Sequence, residues 1–172
     1  DMMTQAEAIA AAVRAHPVVA ELLSAGRTEV SMRWTDAATG VDLKGRADLI
    51  DETGDGAAII ADLKVVGPLD VYADGAARNI ESGGYARQLA LYCDAFTSLR
   101  SRASEGWVIM AGREEPHPVE VYYLEPEWLA WGLSDSRRLL TQWAECVASG
   151  VYPANGTEAT QLARPRWGWA RE

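Results

Sequence analysis

Two charged residues interrupt the most apolar stretch of the chain. The segment IIADLKVV, residues 59–66, consists of apolar side chains apart from Asp62 and Lys64. Residues two apart in a β-strand point to the same face, about 6.5 Å from each other, so both charges share the face of Ile60 and Val66. Because burying an unpaired charge is expensive, this pair requires either a mutual ion pair or a chemical role.

A second acidic residue, Asp48, lies in the preceding segment KGRADLI. Lys44, Arg46 and Asp48 alternate along this segment and are predicted to share one face of a strand. If this strand pairs with the next through the turn ETGDG, Asp48 comes beside Asp62. Two converging carboxylates repel each other unless a cation lies between them, so the pair predicts a metal site.

The predicted ligands suit Mg²⁺ or Mn²⁺. Such cations prefer oxygen ligands and keep water and phosphate oxygens in their shell, so Asp48, Asp62 and the backbone carbonyl of Leu63 suffice as protein ligands. Lys64 would then orient or deprotonate the attacking water and offset negative charge in the transition state. The alternative is an Asp62–Lys64 salt bridge with Asp48 merely at a strand end, and spacing alone favours neither interpretation.

The segment GGYARQLALYCDAFTSL, residues 83–99, is predicted to be the helix that faces this site. Tyr85, Gln88 and Tyr92 stand at positions i, i+3 and i+7, so they form one stripe along it. Tyrosines in such a stripe are usually core residues, whereas a glutamine is less expected there. Gln88 is therefore predicted to contact a water or phosphate at the metal site.

The elements around these residues follow from hydrophobic periodicity and turn signals. Residues 4–24 form an amphipathic helix with Thr4 as N-cap and Gly26 at its end, or two helices divided at His16-Pro17. After Gly67-Pro68 the chain is irregular or weakly helical to Ile80. The remaining predicted elements are strands at 28–35, 41–51, 57–66, 105–113 and 118–125, and helices at 83–99 and Glu127–Ser149, the latter ended by Gly150.

This order predicts the α+β class. A central mixed β-sheet, an antiparallel meander of three strands plus two more, is flanked by α-helices in one domain spanning residues 1–172. The last 20 residues, rich in Pro, Gly and Trp, are predicted to form a docked tail.

Composition limits the function classes. A net charge of −9 argues against general affinity for nucleic acid, but not against a nuclease whose carboxylates hold metal ions and whose basic residues line one groove. A scatter of basic residues of this kind is more often a solvated surface than a binding groove. The groove candidates are Arg27, Arg33, Lys44, Arg46, Lys64, Arg78 and Arg87.

The two cysteines, Cys93 and Cys146, are predicted to be buried reduced thiols. They are too few for a four-cysteine cluster, so no iron–sulfur cofactor is expected. No apolar run approaches the roughly 20 residues that span a bilayer, and no signal peptide is visible. We therefore expect a cytoplasmic protein with no membrane partner.

The ordered set GRADLID, IIADLK and YARQLALY resembles the PD-(D/E)XK nuclease signature followed by the QxxxY motif of its RecB-like branch. The similarity is greatest to the RecE-like (exonuclease VIII) group of phages and prophages. It runs from about His16 to the end of the chain, and includes PVEVYYLE, AECVASGVYP and LARPRWGWA. It implies a restriction-endonuclease-like core.

Carried over by residue, the resemblance implies that Asp48 and Asp62 bind metal, that Lys64 is catalytic and that Gln88 and Tyr92 belong to the helix closing the site. Glu29 matches a family glutamate, and is equally well explained as an exposed strand-end carboxylate. Predicted substrate contacts are Arg46, Arg87 and Tyr85. In this family a further metal-binding histidine lies upstream of the first strand, and no segment here matches it; His16 is predicted to be structural and His117 exposed.

The resemblance implies a metal-dependent deoxyribonuclease, a 5′→3′ exonuclease on linear double-stranded DNA in phage-type recombination. Its expected partners are DNA, a RecT-like single-strand annealing protein and further copies of itself, in the cytoplasm of a bacterial host. Two alternatives stay open. One is a catalytically weak nuclease-fold module for DNA binding or assembly, because the upstream histidine segment is missing. The other is an endonuclease of the same superfamily.

Overall fold

The fold is built on a five-stranded sheet with helices on both faces. It was obtained as a computed structural model, which describes residues 2–153, 159, 161 and 162. The tail predicted for the last 20 residues, with the LARPRWGWA segment, lies largely outside the described residues. The strands are β1 Arg27–Thr35, β2 Asp42–Asp51, β3 Ala58–Val66, β4 Ser104–Gly112 and β5 Val119–Tyr123. The helices are α1 Met2–Ala15, α2 Pro17–Ala25, α3 Ala73–Ser82, α4 Tyr85–Arg100 and α5 Pro126–Ser149, with a 3-10 turn at Pro68–Val71.

The sheet is mixed and its strands lie in sequence order, β1-β2-β3-β4-β5. The first three strands form an antiparallel meander, as predicted, because each is joined to the next by a short polar turn. The chain then crosses through α3 and α4, so β4 runs parallel to β3 before β5 returns antiparallel to β4. The predicted α+β class with a central mixed sheet is confirmed.

Alternation along β3 gives the sheet a separate apolar core on each face. Ile60 packs with Leu89 and Phe96 of α4 on one face. Its neighbour Ala61 belongs to the opposite cluster, with Val19 and Leu22 of α2. The catalytic candidates at positions 62 and 64 continue the face of Ile60, so the fold places them beneath α4.

The N-terminal segment is two helices, because Pro17 begins the second one and the two axes bend by 87° at His16. Gly26 ends α2, as predicted, with its backbone N–H donating to the Leu22 carbonyl. The prediction that Thr4 is an N-cap is wrong, since α1 already includes Met2. Among the described residues, no single helix is long and apolar enough to cross a membrane; α1 and α2 together meet that length and composition only as a bent pair.

The segment after Pro68 is more regular than the sequence indicated. Residues Ala73–Ser82 form a full helix, α3, although Ile80 is the only large apolar side chain among them. Burial of Gly75, Ala76 and Ile80 against the core stabilises it, so tertiary packing overrides the weak local signal.

Candidate active site

The site lies where β2 and β3 separate. Their ladder ends at the pair Leu49–Ala61, and the next register positions are Asp48 and Asp62. Beyond the ladder, the Leu63 N–H donates to Asp48 Oδ2 at 2.8 Å, so a side chain replaces the missing backbone contact. A residue in an antiparallel pair presents its N–H and its C=O to the same neighbour, so the Leu63 carbonyl also points toward β2.

Asp62 and Lys64 form an ion pair on the α4 side of β3. The Asp62 side chain is 3% exposed and that of Lys64 19% exposed, so water screens this pair poorly. Asp62 Oδ2 is buried, and within the described part of the chain only the Lys64 ammonium holds it. The two residues are therefore together, as predicted, and a mutual salt bridge exists.

Gln88 connects the two charges to α4. Its Oε1 accepts from Lys64 Nζ at 3.1 Å, while its Nε2 donates to Asp62 Oδ1 at 3.1 Å and to the Tyr92 hydroxyl at 3.2 Å. The Lys64 ammonium also lies 4.8 Å from the centre of the Tyr85 ring, within the range of a cation–π contact. The stripe of Tyr85, Gln88 and Tyr92 therefore does face the charged pair.

The electrostatics of Asp62 reflect burial. Desolvation raises the pKa of the Asp62 carboxyl group. The hydrogen bond from Lys64 and the positive charge of Lys64 oppose that rise, whereas the nearby carboxylate of Asp48 adds to it. The net direction of the pKa is upward from the ordinary value, because the contact with Lys64 only partly offsets the cost of burying the charged form. Extra positive charge at this point would stabilise the ionised form.

The residues present fit a hard divalent cation. Asp62 Oδ2 is held by the Lys64 charge alone, a second carboxylate lies beside it, and the Leu63 carbonyl points to the same opening. Over residues 2–153, 159, 161 and 162, no group of three His, Cys, Asp or Glu residues forms a metal-binding cluster. The donor set thus suits an ion that completes its shell with water and phosphate oxygens, and not a metal that needs an all-protein cage.

The predicted substrate contacts on Arg46 and Arg87 are engaged elsewhere. Arg46 pairs with Glu29 at 2.7 Å, with both side chains more than half exposed. Glu29 has a left-handed backbone conformation, with φ 55°. The β1–β2 register has no pair at Glu29 or at Asp48, since it goes from Thr28–Leu49 directly to Val30–Ala47. Arg87 pairs with Asp135 of α5 at 2.9 Å.

Beside Asp48, on the α1–α2 side of the sheet, lies a cavity of about 480 Å³. Its walls are mainly apolar residues such as Val19 and Leu49. Glu29 and Asp48 both contribute to its lining, so the family-matched glutamate lies near the opening between β2 and β3.

The seven basic candidates do not share one groove, which agrees with the dispersed surface that the charge pattern favours. Lys64 is inside the site, Arg78 lies on the exposed surface of α3, and Arg27 and Arg33 flank a cleft at the outer edge of β1. They are dispersed because the strands and helices that carry them face different directions.

Neither histidine contributes to the described site. His16 is the N-cap residue of α2. His117 is half-buried and not exposed as predicted, because its ring Nδ1 lies 3.1 Å from the Gly112 carbonyl, which holds it against the turn. Both cysteines are free; Cys93 is buried as predicted, while Cys146 is only partly buried because it lies near the exposed end of α5.

One contributor to the site was not identified from the sequence. Gly45 of β2 lies against Tyr92: a Cβ built on Gly45 would stand 2.4 Å from Tyr92 Cε1. The signal was present, since a glycine inside a strand pattern often marks a close approach.

An antiparallel meander that opens at paired aspartates, followed by a lysine and closed by a glutamine–tyrosine helix, defines a nuclease fold of the PD-(D/E)XK class. The chain belongs to the family described as "PDDEXK-like domain of unknown function (DUF3799)", which matches residues 1–164. The resemblance expected from the motifs is therefore confirmed at the level of the superfamily.

A solved structure shows the same fold. A candidate exonuclease from Eubacterium rectale is similar with a TM-score of 0.67 at 17% identity, over 98% of this chain and 65% of that chain. This chain therefore spans just under two thirds of that protein. The crystal structure of SSO0001 is more distant, with a TM-score of 0.41 at 18% identity over 81% of this chain and 65% of that one. No curated protein matches.

Proposed function

We propose that this chain is a divalent-metal-dependent DNA nuclease. One observation carries the proposal. The buried carboxylate of Asp62 is linked through Gln88 to Lys64, and this group lies beside Asp48 at the point where β2 and β3 separate. A structural salt bridge does not require a second carboxylate beside it, whereas a metal site does.

Asp48, Asp62 and the Leu63 carbonyl would hold Mg²⁺ or Mn²⁺. When bound, such a cation polarises the phosphate and lowers the pKa of a water molecule. Lys64, as an ammonium ion, would contribute a positive charge next to the phosphate and orient the attacking water. Deprotonation of that water by Lys64 would require the neutral amine. Gln88 Oε1 and the Tyr85 ring hold its ammonium group independently of Asp62.

The finer activity rests on the resemblance. The proposed reaction is 5′→3′ exonuclease digestion of linear duplex DNA in phage-type recombination, and the description of the Eubacterium rectale protein agrees with an exonuclease. A RecT-like annealing partner, homo-oligomeric assembly and action in the bacterial cytoplasm belong to the same proposal. Glu29 and Tyr92 as site residues, and Arg46, Arg87 and Tyr85 as substrate contacts, are further parts of it.

A second candidate is a nuclease-fold module that binds DNA or a partner and cuts poorly. The observation in its favour is that, in the described part of the chain, no group of three His, Cys, Asp or Glu residues could hold a metal ion. This module would bind DNA at every metal concentration without cleaving it.

A digestion assay tests the proposal. Linear, nicked and closed circular DNA are incubated with the protein in Mg²⁺ and in EDTA. We expect loss of linear DNA in Mg²⁺ only, and no cleavage by Lys64→Ala. Arg138→Ala, which removes an exposed cation on α5, serves as a control that keeps activity. Thermal melts show whether Lys64→Ala is folded. Full activity in a folded Lys64→Ala protein would refute the assignment, and cleavage of closed circles would indicate an endonuclease.

A further inference from the structure

Three arginines converge on a cleft at the outer edge of the sheet. Arg27 and Arg33 come from β1, which is an edge strand, and Arg100 comes from the last turn of α4. The cleft has a volume of about 290 Å³, and Ser31 also lines it. Its floor is the edge of the apolar core.

Among the described residues, no acidic side chain lines this cleft. Arg27 is paired with Glu52 at 2.6 Å but keeps half of its side chain exposed. Within the described ranges, no carboxylate is in ion-pair contact with Arg33 or Arg100. In a chain with a net charge of −9, uncompensated arginines that share one cleft oppose the average charge of the surface.

The neighbouring strand adds a second like charge. Lys44 of β2 is the direct cross-strand partner of Arg33. Like charges opposite each other destabilise a sheet, so the pair is unfavourable for folding alone. The nearest acid along β2 is Asp42, whose carboxylate accepts a hydrogen bond from Thr35 at 2.7 Å. An anion bound at this edge would offset the repulsion.

We propose that this arginine cleft, with Lys44 beside it, binds backbone phosphates of the DNA strand away from the scissile bond. Guanidinium groups match phosphate oxygens in geometry as well as charge. The cleft is displaced from the site along α4, because Arg100 follows Gln88 by 12 residues, which is about 18 Å at roughly 1.5 Å per residue. That separation corresponds to roughly five nucleotides of a strand that rises about 3.4 Å per nucleotide. Such contacts fix the register of the substrate without touching the reacting atoms. This inference rests on the proposed nuclease function.

The test measures binding and turnover separately. Binding of a fluorescent 20-base-pair duplex to the full chain is followed by anisotropy in EDTA across a salt series, for the native chain, Arg33→Ala, Arg100→Ala and the double variant. We expect the double variant to bind more weakly and its slope of log affinity against log salt to fall by about 1.8, since each phosphate contact contributes about 0.9. In Mg²⁺ its KM for DNA should rise while kcat at saturation is kept.

Arg138→Ala is the matched control, because it removes one exposed arginine from a different face. Arg33→Lys with Arg100→Lys should restore most of the salt slope if charge is the cause. If the double alanine variant had unchanged affinity and KM while the native chain still cut DNA, phosphate binding at the cleft would be refuted. The proposed nuclease function would not be affected. A native chain that neither binds nor cuts DNA would overturn both.

Discussion

At the scale of single residues, the amide of Gln88 performs a task that needs both a donor and an acceptor. Its oxygen accepts from the Lys64 ammonium, while its nitrogen donates to Asp62 and to Tyr92. A glutamate offers no donor when ionised, and lysine or arginine offers no acceptor. The orientation of the amide therefore fixes the relative positions of the cation and the carboxylate.

We predict that Gln88→Leu reduces metal-dependent cleavage by about 10- to 100-fold, which is typical when a residue that orients a metal ligand is removed. The Mg²⁺ concentration for half-maximal activity should rise as well. Tyr92→Phe keeps the aromatic ring and should have a smaller effect.

The same substitution at an exposed glutamine of α5, Gln142→Leu, controls for the added apolar side chain. Steady-state rates over a Mg²⁺ titration measure both quantities. If Gln88→Leu and Gln142→Leu gave the same titration curve, Gln88 would have no part in positioning the site.

At the scale of elements, α4 and β2 approach closely because Gly45 has no side chain. Gly45→Ala places a Cβ 2.4 Å from Tyr92 Cε1, closer than two carbon atoms can approach, so the helix or the ring must move. We predict destabilisation of about 1–3 kcal/mol, the usual range for overpacking, measured by urea unfolding.

Gly54→Ala is the matched control, since a Cβ there meets nothing within 4 Å. It should leave stability unchanged or slightly higher, because alanine restricts the unfolded chain. Replacing Tyr92 with leucine should relieve part of the loss in Gly45→Ala. An equal loss in both backgrounds would contradict the proposed clash.

Arg137 of α5 ties the tip of the β1–β2 hairpin to two helices. It donates to the buried Asp36 at 3.2 Å and to Asp94 of α4 at 3.2 Å. Burial raises the pKa of Asp36, but hydrogen bonds from Thr39 and Arg137 outweigh that effect, so its pKa lies below the ordinary 3.8. A lowered pKa means that Asp36 contributes stability above pH 3.8, and that this stability is lost as the pH falls through the lowered pKa.

We therefore predict that Arg137→Ala lowers the free energy of unfolding by about 1–2 kcal/mol at pH 7, a moderate value because the guanidinium is 38% exposed and partly screened by water. The difference from the native chain should shrink in acid as Asp36 is protonated. Denaturant unfolding at pH 7 and pH 3 measures it, and the neighbouring Arg138→Ala should show no measurable change. A loss that is the same at both pH values would exclude Asp36 as the cause.

These elements also show what the sequence could predict. The meander, the helix over 83–99 and the grouping of Asp62, Lys64 and Gln88 follow from periods of two and 3.6 residues, which are local properties. The Arg137–Asp36 contact joins residues 101 apart, so no local period contains it. The helix α3 was underestimated for a similar reason, because its stability comes from packing on distant strands.

At the scale of the whole molecule, the rate at which the Cys93 thiol is alkylated measures how often the fold opens. Cys93 lies buried in α4 between the sheet and α5, and burial, with help from Asp94 and Glu105, raises its pKa to about 11. Both protection from solvent and the scarcity of thiolate make it unreactive in the folded chain. In a Cys146→Ser background, alkylation of Cys93 therefore requires local or global opening.

Mg²⁺ binding should slow that alkylation, because a ligand that binds only the folded state stabilises it by RT ln(1 + [L]/Kd). At about 100 times Kd this amounts to about 2.7 kcal/mol, or a labelling rate roughly 100-fold lower when opening and closing are fast compared with alkylation and the open state does not bind Mg²⁺. Mass spectrometry of iodoacetamide-treated protein, with and without Mg²⁺, measures the rate of alkylation without any DNA.

Asp62→Asn should abolish the Mg²⁺ effect, since it removes a buried ligand, whereas Asp74→Asn, on exposed α3, should keep it. Protection by Mg²⁺ that survives in Asp62→Asn would place the metal elsewhere, and no protection in the native chain would argue that the two aspartates do not form a metal site at all.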